Sequence, residues 1–206
     1  MKSVKHTKAA LPVMEHFYTL QGEGMHSGKA AYFIRLAGCD VGCHWCDVKE
    51  SWQLSGHPVL DIDFLVKESK KSGTQIVVIT GGEPTIHNLV GITKDLKSIG
   101  LATHIETSGA YPITGKFDWI CVSPKKRKVP LKENLKKADE LKVVIYNKDD
   151  FNWAEKNAVL VSEKCKLFLQ PEWSKADKVM PLIIEYIKKH PRWQISLQTH
   201  KFMQIP

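Results

Sequence analysis

The chain has 206 residues, 43% of them hydrophobic and 25% charged. That composition excludes a disordered or fibrous protein, and the length can enclose a core. Thirty Lys and Arg against 22 Asp and Glu leave a net charge of +8, which admits an acidic partner (nucleic acid, a phosphorylated ligand or an acidic redox protein) without choosing among them. No apolar run approaches the roughly 18 residues that span a bilayer. The apolar stretch 9–14 is too short for a signal peptide and carries Pro12, so a cytoplasmic location is expected.

In chain order, residues 1–12 read as a basic N-terminal tail, followed by 13–18 and the glycine-bearing stretch Gln21-Gly22-Glu23-Gly24. Residues 31–36 have the aromatic and aliphatic content of a strand, and a cysteine-bearing loop runs on to about Gly56. Ile62, Leu65 and Val66 stand at helical spacing in 61–71, with Gly73 as a stop. The continuous apolar run 75–80 predicts a strand buried on both faces. A helix over 87–98, strands over 101–106 and 118–122, a short helix over 132–137 and a strand over 140–146 follow. The last third repeats the rhythm with a helix over 149–157, a strand over 165–169, a helix over 174–189 and a strand over 193–198. Ser174 with Asp177 resembles a capping box, and Pro181 is placed to kink that last helix.

Strands alternating with helices predict one α/β domain over 1–206 built of parallel βαβ units, as an open sheet or a barrel. In such folds a site lies at the carboxyl ends of the strands. The cysteine loop, Gly81-Gly82-Glu83-Pro84, Glu106-Thr107-Ser108-Gly109, Ser123-Pro124-Lys125 and Gln170-Pro171 all fall there, which predicts one shared pocket.

Cys39, Cys43 and Cys46 form C-x3-C-x2-C. Three thiolates this close can grip a soft metal centre from one loop. They are one short of the four that usually ligate a 4Fe–4S cluster, so one iron would keep an open position. The competing readings are a zinc site completed by His44 or another histidine, or three unrelated buried thiols. Cys121 and Cys165 fall in predicted strands and read as inert buried thiols. The basic run Lys125-Lys126-Arg127-Lys128 reads as a solvated loop rather than a nucleic-acid patch.

With Trp45 before the third cysteine and Gly81-Gly82-Glu83-Pro84 after a strand, the chain resembles the radical S-adenosylmethionine superfamily. A narrower resemblance rests on Tyr18-Thr19-Leu20-Gln21-Gly22-Glu23-Gly24, on Phe33-Ile34-Arg35-Leu36-Ala37-Gly38-Cys39, on Asp139-Glu140-Leu141-Lys142 and on the ending Gln198-Thr199-His200-Lys201. These look like the 7-carboxy-7-deazaguanine synthase family, and the likeness covers nearly the whole chain. It implies a partial (β/α) barrel, a homodimer and a carbon–nitrogen lyase converting 6-carboxy-5,6,7,8-tetrahydropterin to 7-carboxy-7-deazaguanine with loss of ammonia, for queuosine or another deazapurine. In that scheme a reduced cluster cleaves S-adenosylmethionine to a 5′-deoxyadenosyl radical that takes hydrogen from C6 of the pterin and later receives it back.

The resemblance implies residue roles as well. Cys39, Cys43 and Cys46 would hold the cluster. Trp45, Cys46, Asp47, Gly82 and Glu83 would line the S-adenosylmethionine site, with Glu83 and backbone carbonyls receiving its ammonium. So would Ser123, Pro124 and Lys125, together with Gln170, Pro171, Glu172 and Trp173. The pterin would meet acceptors at Leu20, Gln21, Gly22 and Glu23, a guanidinium fork at Arg35, and contacts from Thr80, His200 and Pro206.

The family commonly has threonine after Cys-Asp, where its hydroxyl helps bind magnesium; here the residue is Val48, which offers a hard cation no side-chain oxygen. Magnesium remains an expected cofactor, held by substrate and water with another residue or Asp47 compensating; the alternative is that the dependence is lost. An acidic electron donor such as flavodoxin or ferredoxin would suit the +8 charge; neither a membrane nor nucleic acid is expected as partner. The rival readings are a glycyl-radical activase, and a non-catalytic iron–sulfur or zinc module that binds RNA.

Overall fold

Residues 9–206 are described by the structure, a computed structural model. The strands are β1 (Ala10–Leu20), β2 (Ala30–Leu36), β3 (Val59–Asp61), β4 (Ile76–Gly81), β5 (Ala102–Thr107), β6 (Trp119–Val122), β7 (Glu140–Ile145), β8 (Lys166–Pro171) and β9 (Trp193–Ile195). They form one sheet in the order β3-β1-β2-β4-β5-β6-β7-β8-β9. From β2 through β9 every pairing is parallel, whereas β1 runs antiparallel to both β2 and β3. With β3 and β9 as edges the described sheet does not close, which makes this a partial (β/α) barrel.

The helices are α1 (Ile62–Lys71), α2 (Val90–Ser98), α3 (Lys132–Lys137), α4 (Asp149–Ala158), α5 (Ala176–Lys189) and α6 (Thr199–Met203). Side chains on a strand alternate between faces, and here one parity is aliphatic throughout. Ile34, Leu36, Val77, Ile79 and Ile105 pack with α1 and α2 through Ile62, Leu65, Ile92 and Leu96. Val122, Leu141, Val143, Ile145 and Leu169 do the same with α4 and α5. The other parity begins apolar, with Phe17, Ala31, Phe33 and Val78 in contact, and turns polar toward the carboxyl ends at Arg35, Thr80, Glu106, Lys142 and Gln170.

Several expectations shift. The supposed tail enters the sheet at Ala10, where Ala10, Leu11 and Pro12 pair with Asp61, Leu60 and Val59; residues 1–8 lie outside the described ones. β3 and α6, three and five residues long, are too short to carry a periodicity, and the eleven-residue β1 shows in the sequence only as the unassigned stretch 13–18, without its antiparallel pairing. Ser174 caps nothing: Glu172 accepts its backbone N–H at 3.1 Å and its hydroxyl at 2.6 Å, and α5 starts at Ala176 after a 3-10 turn. Pro181 does lie inside α5.

Candidate active site

A cavity of about 570 Å³ opens at the carboxyl ends of the parallel strands. All the residues expected in the site line it except Pro124, which is buried elsewhere with its carbonyl accepting the Trp153 indole N–H at 3.3 Å. The scatter of these residues along the chain is resolved by register. Arg35 pairs with Thr80, Glu106 with Cys121, Cys121 with Glu140 and Val144 with Gln170, which brings the strand ends around one opening.

The cysteine loop forms one wall. Cys39, Cys43 and Cys46 are free, half-buried thiols lining the cavity. Burial pushes the Cys39 and Cys43 thiols up from their usual range. The loop is pinned by backbone bonds: Gly38 N–H donates to Ser51 O at 2.7 Å, Cys39 N–H to Trp52 O at 3.1 Å, and Glu83 N–H to Gly38 O at 2.9 Å. A Cβ on Gly82 would stand 2.4 Å from Gly38 O and 2.7 Å from Cys39 Cβ, so only glycine lets the two loops meet. Among the described residues no three His, Cys, Asp or Glu side chains converge on a single metal ion. His44 is exposed, with its ring 5.0 Å from that of Tyr146, so it does not complete a zinc site. A 4Fe–4S cluster asks for something different, one thiolate on each of three irons, and three free thiols on one pinned loop suit it.

Glu83 has a different use from the one expected. Its carboxylate accepts from Thr85 N–H at 3.1 Å, Thr85 Oγ1 at 2.6 Å and Ser108 N–H at 2.8 Å, and also from the Thr107 and Ser108 hydroxyls. A carboxylate has about four acceptor sites, so five donors leave none for a ligand's ammonium. Glu83 is a clamp tying the ends of β4 and β5. Lys125 donates to Ser123 O and Oγ, both at 2.6 Å, and lies 5.5 Å from the centre of the Trp45 ring; burial lowers its pKa. Gln170 accepts the Ser196 hydroxyl at 2.8 Å, and Trp173 meets Lys201 and Phe202 from α6.

On the remaining wall sits a buried polar network that the sequence reading found only in part. Glu23 takes Lys142 Nζ on one oxygen, and Gln170 at 3.1 Å and Gln198 at 2.9 Å on the other. Burial alone would raise the Glu23 carboxyl, but the charge and hydrogen bond of Lys142 outweigh it and hold the pKa at about 2. Burial likewise opposes the Lys142 charge, yet Glu106 and Glu23 keep its pKa well above the ordinary value. Gln21 donates to Glu106 at 2.7 Å and accepts from Glu23 N–H at 3.0 Å. Arg35 gives its Nε–H to Glu15 at 2.6 Å while its side chain lines the cavity. In the sequence Glu106 stands at a strand end of the expected pocket and Lys142 and Gln198 stand in the family-like segments, but none of the three is given a role of its own there; a lysine in the apolar run 140–146 is the clearest signal of one.

The chain's end closes the site. Thr199 N–H and Oγ1 both donate to Gly22 O at 2.9 Å, and a Cβ on Gly22 would stand 2.2 Å from the His200 ring. His200, Lys201, Ile205 and Pro206 then line the cavity. Lys201 pairs with Asp47 at 2.8 Å. Val48 lines the same space, and the Ser51 hydroxyl, also lining it, donates to Val48 O at 2.6 Å.

An open βα sheet with a three-cysteine loop on its first parallel strand and a glycine pair on the next defines a radical S-adenosylmethionine protein, and residues 33–120 match the family model described as the Radical SAM superfamily. A 7-carboxy-7-deazaguanine synthase from Flavobacterium psychrophilum is 55% identical over 196 residues, covering 95% of this chain and 93% of that protein. The synthase of the same description from Synechocystis sp. is 47% identical over 194 residues, covering 94% and 93%. The crystal structure of QueE from Escherichia coli superposes with a TM-score of 0.83 at 32% identity, covering 93% of this chain and 95% of that one. The chain belongs to the 7-carboxy-7-deazaguanine synthase family. Membership implies a 4Fe–4S cluster, S-adenosylmethionine and a pterin substrate. Among the described residues no helix is long and apolar enough to cross a membrane.

Proposed function

We propose that this chain, as one domain, converts 6-carboxy-5,6,7,8-tetrahydropterin to 7-carboxy-7-deazaguanine with loss of ammonia, as a carbon–nitrogen lyase of queuosine biosynthesis. The observation that carries the reading is the single cavity in which three loop thiols share a space with the Gln21–Glu23–Glu106–Lys142 network and Arg35. Cys39, Cys43 and Cys46 would hold the 4Fe–4S cluster. When bound, the cluster and S-adenosylmethionine supply reversible removal of a hydrogen atom from carbon.

The chain's own part is recognition, orientation and exclusion of water. Trp45, Asp47, Gly82, Ser123, Lys125 and the segment 170–173 would bind S-adenosylmethionine. Since Glu83 is saturated, the backbone carbonyls beside Gly82 take over the role of receiving its ammonium. The ionised Glu23, with Glu106 beside it, presents acceptors to the N–H donors of the pterin's pyrimidine edge. With its Nε held by Glu15, Arg35 has its two Nη groups to offer the substrate carboxylate. Thr80, His200 and Pro206 complete the enclosure. No step is routed through magnesium. The working form would be a cytoplasmic homodimer fed by an acidic electron donor.

The test is anaerobic reconstitution with iron and sulfide, reduction, and addition of S-adenosylmethionine and 6-carboxytetrahydropterin. Mass spectrometry should find 7-carboxy-7-deazaguanine over many turnovers without net loss of S-adenosylmethionine. If 5′-deoxyadenosine formed and no deazaguanine appeared, the substrate assignment would fall while the radical chemistry stood.

A further inference from the structure

The run Lys125-Lys126-Arg127-Lys128 reads in sequence as a solvated loop, but three of its four side chains reach the cysteine loop. Lys128 Nζ pairs with Asp40 at 2.6 Å, and the Tyr111 hydroxyl joins the same carboxylate. Arg127 Nη1 donates to Gly42 O at 2.7 Å. Its guanidinium lies over that glycine so closely that a Cβ there would be 3.4 Å from Nη1; Gly42 also has a φ of 67°. Lys125 stands 5.5 Å from the centre of the Trp45 ring. The contacts at Asp40 and Gly42 fall between Cys39 and Cys43, and the one at Trp45 falls between Cys43 and Cys46. Lys126 turns the other way and pairs with Asp150.

We infer that the basic run is a strap on the cluster loop, and that Arg127 is the positioning residue within it that also makes the bound cluster easier to reduce. This rests on the cluster assignment to Cys39, Cys43 and Cys46. A 4Fe–4S cluster in its 2+ state with three thiolates carries a net charge of about −1, and one added electron takes it to about −2. A fixed cation beside the loop favours the more negative state. Lys128 is offset by Asp40, whereas among the described residues neither Arg127 nor Lys125 has a carboxylate partner; Lys125 is placed in the S-adenosylmethionine site, which leaves Arg127 as the unpaired cation bonded to the backbone of the cysteine loop. Its charge therefore acts on the loop without a local counter-charge.

Four reconstituted proteins decide the matter: the unaltered chain, Arg127→Gln, Arg127→Lys and Lys126→Gln. Each is assayed for iron per chain, for the rate of iron loss to a chelator, and for its midpoint potential by dithionite titration followed by electron paramagnetic resonance. Arg127→Gln should lose iron several-fold faster and titrate at a lower potential. Arg127→Lys should recover the potential more fully than the iron retention, because it keeps the charge but not the planar donor over Gly42. Lys126→Gln should match the unaltered chain in both. An Arg127→Gln protein with unchanged potential and unchanged iron loss would overturn the inference, as would a Lys126→Gln shift of equal size, which would mark a general net-charge effect. An unaltered chain that takes up no cluster would instead overturn the cluster assignment on which the inference stands.

Discussion

Lys142 is the residue on which the polar wall turns. It is 4% exposed at the side chain and faces Glu23 and, at 3.4 Å, Glu106. Removing one partner of a buried ion pair leaves an uncompensated charge, which costs about 3–5 kcal/mol. Lys142→Met should lower the unfolding free energy by that order in urea titrations, and adding Glu23→Gln should recover part of the loss. Val48 sets a second expectation. Its apolar side chain, with Asp47 engaged by Lys201, predicts turnover that does not respond to magnesium; Val48→Thr should introduce a response, measured as initial rates with and without the ion.

Among the elements, α6 matters more than its five residues suggest. It is bound to the 21–24 turn through Thr199 and brings His200, Lys201, Ile205 and Pro206 to the cavity. A chain ending at Gln198 should keep its fold by circular dichroism, because the aliphatic clusters on the outer face of the sheet contain none of the deleted residues. Its KM for the pterin should rise at least tenfold, about 1.4 kcal/mol, with a smaller change in S-adenosylmethionine affinity. The strap 125–128 belongs to this scale too. Lys128 and Lys126 are ion-paired with Asp40 and Asp150, and Arg127 is bonded to the cysteine loop, so the run ties elements of the fold to one another.

For the molecule as a whole, buried titratable groups inside the barrel set the response to acid. Burial, with His26 and Lys29 nearby and only Asp118 opposing, lowers His104 from 6.5 to about 4. The unfolded chain then binds a proton that the folded one refuses. Stability should therefore fall as pH drops from about 6.5 to about 4, by about 3 kcal/mol. The depressed Glu23 adds a further loss as pH falls below 4.5 toward about 2. Glu140, whose carboxyl burial pushes up, works in the opposite sense. Comparison with His104→Leu isolates the histidine: urea midpoints between pH 7 and pH 4.5 should change less in the variant.

The parts whose chemistry is local are legible along the chain. C-x3-C-x2-C announces its ligands within eight positions, Gly81-Gly82 announces a close approach, and the aliphatic runs announce strands, because spacing and backbone freedom act between near neighbours in the chain. Which of the other polar residues share a space depends on how the strands are ordered in the folded sheet. Glu23, Glu106 and Lys142 are far apart in sequence; strand order brings Glu106 and Lys142 together, and the turn after β1 adds Glu23. Glu83 becomes a clamp because Thr85, Thr107 and Ser108 converge on it, and Pro124 turns out of the cavity while both its neighbours line it. The basic run changed from loop to strap for the same reason: a charge acts through space, and the distances that give it a partner exist only once the sheet has brought the strand ends together.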